Sequence, residues 1–168
     1  MDTLFEAIKK SGSKCKVLKE LLEEDTYRNL LKVIDEDSGF TPVTYATNIG
    51  NVAALKVALE NGGDVNYKDA NGDTPLYVAV ARRQIKATEC LLENGASIGA
   101  AHPNLLRYAV EYSCVPVVQA LLKAGADPEY KESDAAVTPM QFVKNSLERS
   151  QALGFKSNRW IELVRAFE

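Results

Sequence analysis

Two Thr-Pro steps, Thr41-Pro42 and Thr74-Pro75, lie 33 residues apart in this chain. Glycines repeat at nearly the same interval, since Gly62, Gly95 and Gly125 are separated by 33 and then 30 residues. A period in the low thirties is typical of stacked helical repeats, in which no unit buries its apolar face alone. The spacing therefore predicts an all-α solenoid rather than a domain built around one central core.

The composition is that of a soluble globular protein. With 168 residues, 46% of them apolar and 26% charged, the chain is long enough for one packed domain. A net charge of −3 disfavours an electrostatic hold on nucleic acid. No apolar run approaches the ~18 residues that would span a membrane, and the opening MDTLFEAIKK lacks the apolar core of a secretory signal. We predict a cytoplasmic protein that binds neither nucleic acid nor a membrane.

Each part of the segment NGDTPLYV (71–78) has a physical role. Asn71-Gly72 supplies the positive φ of a tight turn. Thr74 caps a helix through its hydroxyl, and Pro75 occupies the first helical position, where its missing N–H costs nothing. A second helix, which carries Leu91-Leu92, ends at a glycine in the left-handed conformation. The unit is therefore predicted to be a finger-like turn followed by two short helices.

These residues resemble the ankyrin repeat, whose pattern runs D-x-x-G-x-T-P-L-H-x-A, then V-x-x-L-L, then G-A-D-x-N. The matching residues are Asp69, Gly72, Thr74, Pro75, Leu76, Ala79, Leu91, Leu92, Gly95 and Ala96. The resemblance is strongest over 36–129. It implies an ankyrin-repeat solenoid with short β-hairpin-like fingers, forming a single domain over 1–168. The expected divisions are an N-terminal cap and insertion (1–35), repeats at 36–66, 67–98 and 99–129, and a C-terminal capping repeat (130–168).

Both ends depart from the pattern, as terminal units of a solenoid do. Segment 4–12 resembles an inner helix and 17–25 an outer one, with an insertion at 26–36. The last helix is predicted to bury a face at i, i+3, i+4 and i+7, made of Trp160, Leu163, Val164 and Phe167.

The third unit is three residues short and lacks Thr-Pro, so Asn104 is expected to cap its first helix. The short finger is also expected to leave a notch with His102, the only histidine of the chain, at its edge. No motif in the sequence indicates a catalytic role for His102. It is predicted to be an ordinary exposed loop residue.

Nothing in the sequence points to catalysis. Phosphate-loop, G-x-S-x-G and H-E-x-x-H motifs are lacking, so we expect no enzyme, no metal and no cofactor. Three cysteines without metal-type spacing indicate free thiols in a reducing compartment. Cys90 and Cys114 are predicted to be core thiols.

The resemblance implies recognition of another protein through a concave face lined by the inner helices and through the finger tips. Aromatic and Arg side chains at such positions dominate binding hot spots. Besides His102, the expected contact residues are Phe40, Asn48, Ile49, Tyr67, Lys68, Asn71, Asp73, Ala81, Arg82, Glu111, Tyr112, Tyr130 and Lys131. For Tyr67 and Tyr130, packing between fingers is the alternative.

Three kinds of binding protein fit this description. One is an adaptor or scaffold module that is monomeric before it meets its partner. Another is a stoichiometric inhibitor of an enzyme or toxin, of immunity or kinase-inhibitor type, and the acidic pI would suit a basic target. The third is a microbial effector directed at a host protein.

Overall fold

The computed structural model describes residues 2–10, 39–100, 102–112, 114–133, 136–154 and 158–168. The predicted outer helix at 17–25 and the insertion at 26–36 lie outside these residues. The described residues contain helices and no strands, and the helices are α1 (Asp2–Lys10), α2 (Pro42–Asn48), α3 (Val52–Glu60), α4 (Pro75–Ala81), α5 (Ile85–Glu93), α6 (Leu105–Glu111), α7 (Val115–Lys123), α8 (Pro139–Ala152) and α9 (Asn158–Phe167).

The helices form two stacked rows. In the inner row α1, α2, α4, α6 and α8 contact one another in that order, and in the outer row α3, α5, α7 and α9 do the same. Each inner helix from α2 onward also packs against the outer helix that follows it in sequence. This arrangement is the solenoid predicted from the repeat spacing, and α1 takes the inner position expected for segment 4–12.

The Thr-Pro steps begin helices rather than interrupt them. Each Thr hydroxyl accepts a hydrogen bond from the backbone N–H three residues later: Thr44 to Thr41 at 3.3 Å, Tyr77 to Thr74 at 3.3 Å, and Gln141 to Thr138 at 3.1 Å. Each Pro lies in the first turn, where no backbone donor is needed. The cap predicted for Thr74 is therefore confirmed, and Thr41 and Thr138 cap their helices in the same way.

Asn104 does not cap α6 in the way predicted. It occupies the N-cap position, but its side chain makes no capping hydrogen bond. Its backbone, at φ −102° and ψ 37°, differs from the extended backbone of Thr74 at ψ 160°, so the side chain is not placed over the first turn. A turn closed by the Leu105 N–H on the His102 carbonyl at 3.1 Å leads into the helix instead. Asn104 Oδ1 is left buried without a hydrogen-bond partner.

The finger of the second unit is closed by a buried carboxylate. Asp69 Oδ1 accepts hydrogen bonds from the N–H groups of Asn71 at 2.8 Å and Asp73 at 3.0 Å. Gly72 lies at φ +83°, a conformation that a residue with a Cβ rarely adopts. This finger is thus held in one conformation by its own hydrogen bonds.

The core lies between the two rows. Its side chains are small on the inner row and large on the outer row. The inner row contributes fully buried alanines, Ala46, Ala79 and Ala109, which let neighbouring inner helices approach closely. The outer row contributes fully buried leucines, Leu55, Leu91, Leu121 and Leu163. Trp160, Val164 and Phe167 pack partly buried beside Leu163, which confirms the predicted face of α9.

The thiols and the first helix complete the packing. Cys90 is buried in the core, and Cys114 is half-buried against it at the start of α7; Cys15 lies outside the described residues. Helix α1 is joined to the first repeat (36–66) by a hydrogen bond from Asn51 Nδ2 to the Ile8 carbonyl at 2.9 Å. In the described part of the chain no helix has the length and apolarity needed to cross a membrane.

Candidate functional site

Four aromatic rings form a continuous stack across two units of the inner row. The His102 ring lies 3.9 Å from the Tyr77 ring, Tyr77 lies 5.2 Å from Tyr108, and Tyr108 lies 4.4 Å from Tyr112. Tyr77 is on α4, whereas Tyr108 and Tyr112 are one helical turn apart on α6 and just beyond its end. We call these four residues the aromatic stack.

His102 is fixed in place rather than free. Its Nε2 lies 2.8 Å from Asp73 Oδ1, so it joins the third finger to the second. Its ring covers Tyr77, and only 43% of its side chain is exposed. The prediction of an ordinary exposed loop residue is wrong, because the short third unit carries His102 back onto its neighbour.

An open groove of about 550 Å³ lies beside the aromatic stack. It is lined by Tyr77, His102, Pro103, Asn104, Arg107, Tyr108, Glu111, Glu132, Ala136 and Val137. These residues come from the third and fourth fingers and from α4 and α6. The notch predicted beside the short third unit, with His102 at its edge, is therefore present.

Arg107 forms the floor of this groove. Its guanidinium carbon lies 3.8 Å from the centre of the Phe142 ring, and Nη2 pairs with Glu111 Oε1 at 2.8 Å. Nη1 donates to the Val137 carbonyl at 3.2 Å. Arg107 Nε, like Asn104 Oδ1, is buried without a hydrogen-bond partner. Both atoms lie beneath the surface of the groove, out of contact with solvent.

Two further arginines lie at the Tyr112 end of the aromatic stack. The Arg83 guanidinium carbon is 5.9 Å from the centre of the Tyr112 ring. Arg159 donates to the Glu111 carbonyl at 3.4 Å and lies over the Trp160 ring at 4.4 Å. Burial, and then the positive charge of Arg83, lower the pKa of Arg159. The two cations are therefore close enough to repel each other.

Tyr108 and Tyr112 stay neutral at physiological pH because the pKa of each is raised. The Tyr108 hydroxyl raises the pKa of Tyr112 above its ordinary value. The Tyr112 hydroxyl lowers the pKa of Tyr108, but the Tyr77 hydroxyl, burial and the charges of Tyr77 and Asp73 raise it, and the net shift is upward. Both side chains therefore keep their phenol O–H.

Some of the predicted contact residues meet at this surface and others do not. Asp73, His102, Glu111 and Tyr112 come together along the aromatic stack and the groove. Arg82 is exposed at the end of α4, and the remaining residues lie elsewhere: Ile49, Lys68, Asn71 and Lys131 are exposed, and Phe40, Asn48, Tyr67, Ala81 and Tyr130 are half-buried. Tyr130 lines a second cavity, of about 240 Å³, with Ile98 and Pro103.

Sequence reasoning missed the centre of the aromatic stack. Tyr108 and Tyr112 are four residues apart on a predicted helix, which was a readable sign that they share a face. Tyr77 is the residue that replaces the usual His of the repeat pattern. Its contact with Tyr108 depends on how two units align, and no local pattern reports that alignment.

Arg83 was missed as well. It lies 33 residues after Gly50, and both adopt positive φ, at +56° and +73°. Arg83 is the only residue other than glycine with positive φ in the described part of the chain. The sequence did show that an arginine, Arg83, occupies the position at which the preceding unit has a glycine, Gly50.

The described residues contain no group of three or more His, Cys, Asp and Glu side chains that could hold a metal ion. Their polar groups are arranged in pairs across the surface, such as Asp73–His102 and Arg107–Glu111. The arrangement is suited to contacting a ligand over an extended area.

Comparison with known proteins identifies the family. The family model described as "Ankyrin repeats (3 copies)" matches residues 4–102. The transient receptor potential channel pyrexia of Drosophila melanogaster is 32% identical over 73% of this chain, which spans 12% of that protein. An ankyrin repeat and KH domain-containing protein of Caenorhabditis briggsae is 30% identical over 87% of this chain, which spans 5% of it.

The B-cell lymphoma 3 protein homolog of Mus musculus is 29% identical over 68% of this chain, which spans 26% of that protein. The chain is thus similar to a part of each of these longer proteins. Ankyrin repeats are generally protein–protein interaction modules and generally non-catalytic, although some relatives that carry them are enzymes. Because the family model matches more than half of the residues of this chain, the chain belongs to the ankyrin repeat family.

Proposed function

We propose that this chain is a non-catalytic recognition module that binds a partner protein along the aromatic stack and the adjoining groove. The observation that carries the proposal is the stack itself: four rings, each in contact with the next, with 41% of Tyr112 exposed at its end. Aromatic side chains dominate binding hot spots. Rings already held by their neighbours lose little conformational entropy when a partner docks.

The groove supports the same proposal. At about 550 Å³ it has the size of a site that takes side chains of an extended segment. Glu111 and Glu132, which line the groove, are both exposed and can contact a segment that lies in it.

The surface extends along the inner row. Ile49, Arg82 and Tyr112 follow the ends of three successive inner helices, and all three are exposed. On the finger side, Asn71, Lys68 and Lys131 are exposed at the rim. In this proposal the aromatic stack is the anchor and these residues are peripheral contacts.

The proposal also covers the setting in which binding takes place. The protein acts in the cytoplasm as a monomer before it meets its partner. Cys90 and Cys114 are both free thiols, which supports a reducing compartment.

The test is capture of partners by wild type and by Tyr108→Ala and Tyr112→Ala variants that melt at the wild-type temperature. Leu153→Ala is the matched control, because Leu153 is 61% exposed but lies outside the groove. Partners retained by wild type and Leu153→Ala, and lost by both tyrosine variants, support the proposal. Equal retention by all four proteins contradicts it.

The same complex separates an adaptor from an inhibitor. Where the captured partner is an enzyme, its activity is measured with and without a stoichiometric amount of this chain. An adaptor leaves the activity unchanged, whereas an inhibitor abolishes it. Tyr112→Ala is expected to relieve any inhibition in proportion to lost binding.

A further inference from the structure

The Tyr112 end of the aromatic stack is positively charged although the chain as a whole is acidic. Arg83 and Arg159 are exposed there, and Arg82, which precedes Arg83 in the chain, is exposed as well. In the described residues none of the three forms an ion pair, whereas Arg107, in the groove, is paired with Glu111 at 2.8 Å. The local charge is therefore opposite in sign to the net charge of −3.

Arg83 has a backbone conformation that is unfavourable for an arginine. At φ +56° a residue with a Cβ is strained, and the equivalent Gly50 at φ +73° shows that glycine serves this turn in the preceding unit. An arginine here adds no hydrogen bond or ion pair within the described structure, only the ring contact with Tyr112. What this position offers is a cation directed to the end of the aromatic stack.

Arg159 reaches the same place from the other end of the molecule. It lies on α9, which packs in the outer row, yet its guanidinium donates to the Glu111 carbonyl next to Tyr112. One of its faces is covered by Trp160. Within the described part of the chain Arg159 makes this one hydrogen bond, and a guanidinium carries five N–H donors.

We infer that Arg83 and Arg159 bind an acidic side chain of the partner protein segment that lies along the aromatic stack. A carboxylate placed between two guanidinium groups accepts charge-assisted hydrogen bonds from both, and it offsets their mutual repulsion. The preferred segment has an Asp or Glu at the Tyr112 end and an apolar or aromatic residue along the rings. This inference rests on the proposed function and specifies the partner's chemistry.

The probe is a phage-displayed library of random peptides, selected on immobilised wild-type protein. The best peptide is synthesised, together with a version in which each acidic residue is replaced by its amide. Fluorescence polarisation gives Kd for wild type, Arg83→Gly, Arg159→Gln and Tyr108→Ala. Arg165→Gln is the matched control, because Arg165 is an exposed cation on the same helix as Arg159.

We expect the selected peptides to share an acidic residue. Kd should rise by about tenfold or more with Arg83→Gly and with Arg159→Gln, as loss of a charge-assisted pair implies, and stay within about twofold with Arg165→Gln. The amide peptide should bind wild type and the two arginine variants equally. The Arg83→Gly variant should have a melting temperature no lower than that of wild type. Its weaker binding is then not caused by unfolding.

Two results would overturn the inference in different ways. Binding that weakens with Tyr108→Ala but not with either arginine variant removes the acidic-partner inference and leaves the proposed function intact. A selection in which no peptide depends on Tyr108 contradicts both.

Discussion

At the scale of single residues, Arg83 is the clearest departure from the repeat pattern. Because left-handed backbone disfavours any residue with a Cβ by about 1–2 kcal/mol, Arg83→Gly is expected to raise the free energy of unfolding by about 1 kcal/mol. Urea unfolding measures the change. The neighbouring Arg82, at φ −91°, is the control, and Arg82→Gly should lower stability. A fall in stability for both variants would contradict the assigned strain.

Cys90 provides a second test at this scale. Burial raises the pKa of its thiol, so the neutral form is favoured in the folded chain. With Cys15 and Cys114 replaced by Ser, Cys90 should react with a disulfide reagent at least about 100-fold more slowly than in the urea-unfolded chain.

The same shift sets a pH dependence. Since the folded pKa of Cys90 is above the unfolded one, its contribution to stability is fully present below the unfolded thiol's pKa. That contribution is lost as pH rises through the folded pKa. Labelling of folded Cys90 as fast as in the unfolded chain would contradict this account.

The position of His102 in the chain could be predicted from the sequence, but its contacts could not. The sequence indicates that it lies in the short third finger, and that placement is correct. Its contacts with Tyr77 and Asp73 depend on the geometry between fingers, and no spacing along the chain encodes that geometry.

At the scale of helices and turns, the two kinds of helix start make different predictions. Thr74→Ala removes a hydroxyl that accepts from the Tyr77 N–H and should cost about 1 kcal/mol of unfolding free energy. Asn104→Ala removes no capping bond and deletes an unpartnered buried oxygen, so stability should stay within about 0.5 kcal/mol of wild type or rise. Thermal or urea unfolding compares the two. An equal loss for both would contradict the assigned caps.

Gly63 stands where the next two units have Ala96 and Ala126, yet alanine does not fit here. A Cβ on Gly63 would lie 2.5 Å from Val43 Cγ2 and 2.9 Å from the Ala58 carbonyl oxygen. Gly63→Ala is therefore expected to lower the free energy of unfolding by about 1–3 kcal/mol. Gly99→Ala is the control, because its Cβ would meet open space. If both variants are equally stable, the tight contact is not as described.

Most of the helices could be predicted from the sequence because their signals are local. A Thr-Pro step starts a helix, and a glycine ends the next one, wherever they occur. Asn104 is the exception, since the sequence shows a residue able to cap but not the backbone angles that decide whether it does. The start of α6 is therefore predictable, while the buried, unsatisfied Asn104 oxygen is not.

At the scale of the whole molecule, the two-row stack follows from the repeat period, but the recognition surface does not. The notch was predictable because the third unit is three residues short. The aromatic stack was not, because it joins Tyr77 of one unit to Tyr108 of the next at non-equivalent positions. Family patterns assign contact positions unit by unit, and they overlook surfaces that arise between units.

Charge shows the same difference between local and global descriptions. The net charge of −3 favours a basic target, whereas the exposed arginines around Tyr112 favour an acidic segment. A partner responds to the field at its docking site, within roughly a Debye length of ~8–10 Å, more than to the sum over the chain. The local charge is therefore the better guide to the partner.

We expect a partner protein to dock on the aromatic stack and groove of the inner row. Hydrogen exchange measured by mass spectrometry, on the free chain and on its complex with a captured partner, tests this docking site. Exchange should be slower in segments 75–83 and 102–112, with little change in α3, α5 and α7. Protection confined to those outer helices, with both inner segments unchanged, would contradict it.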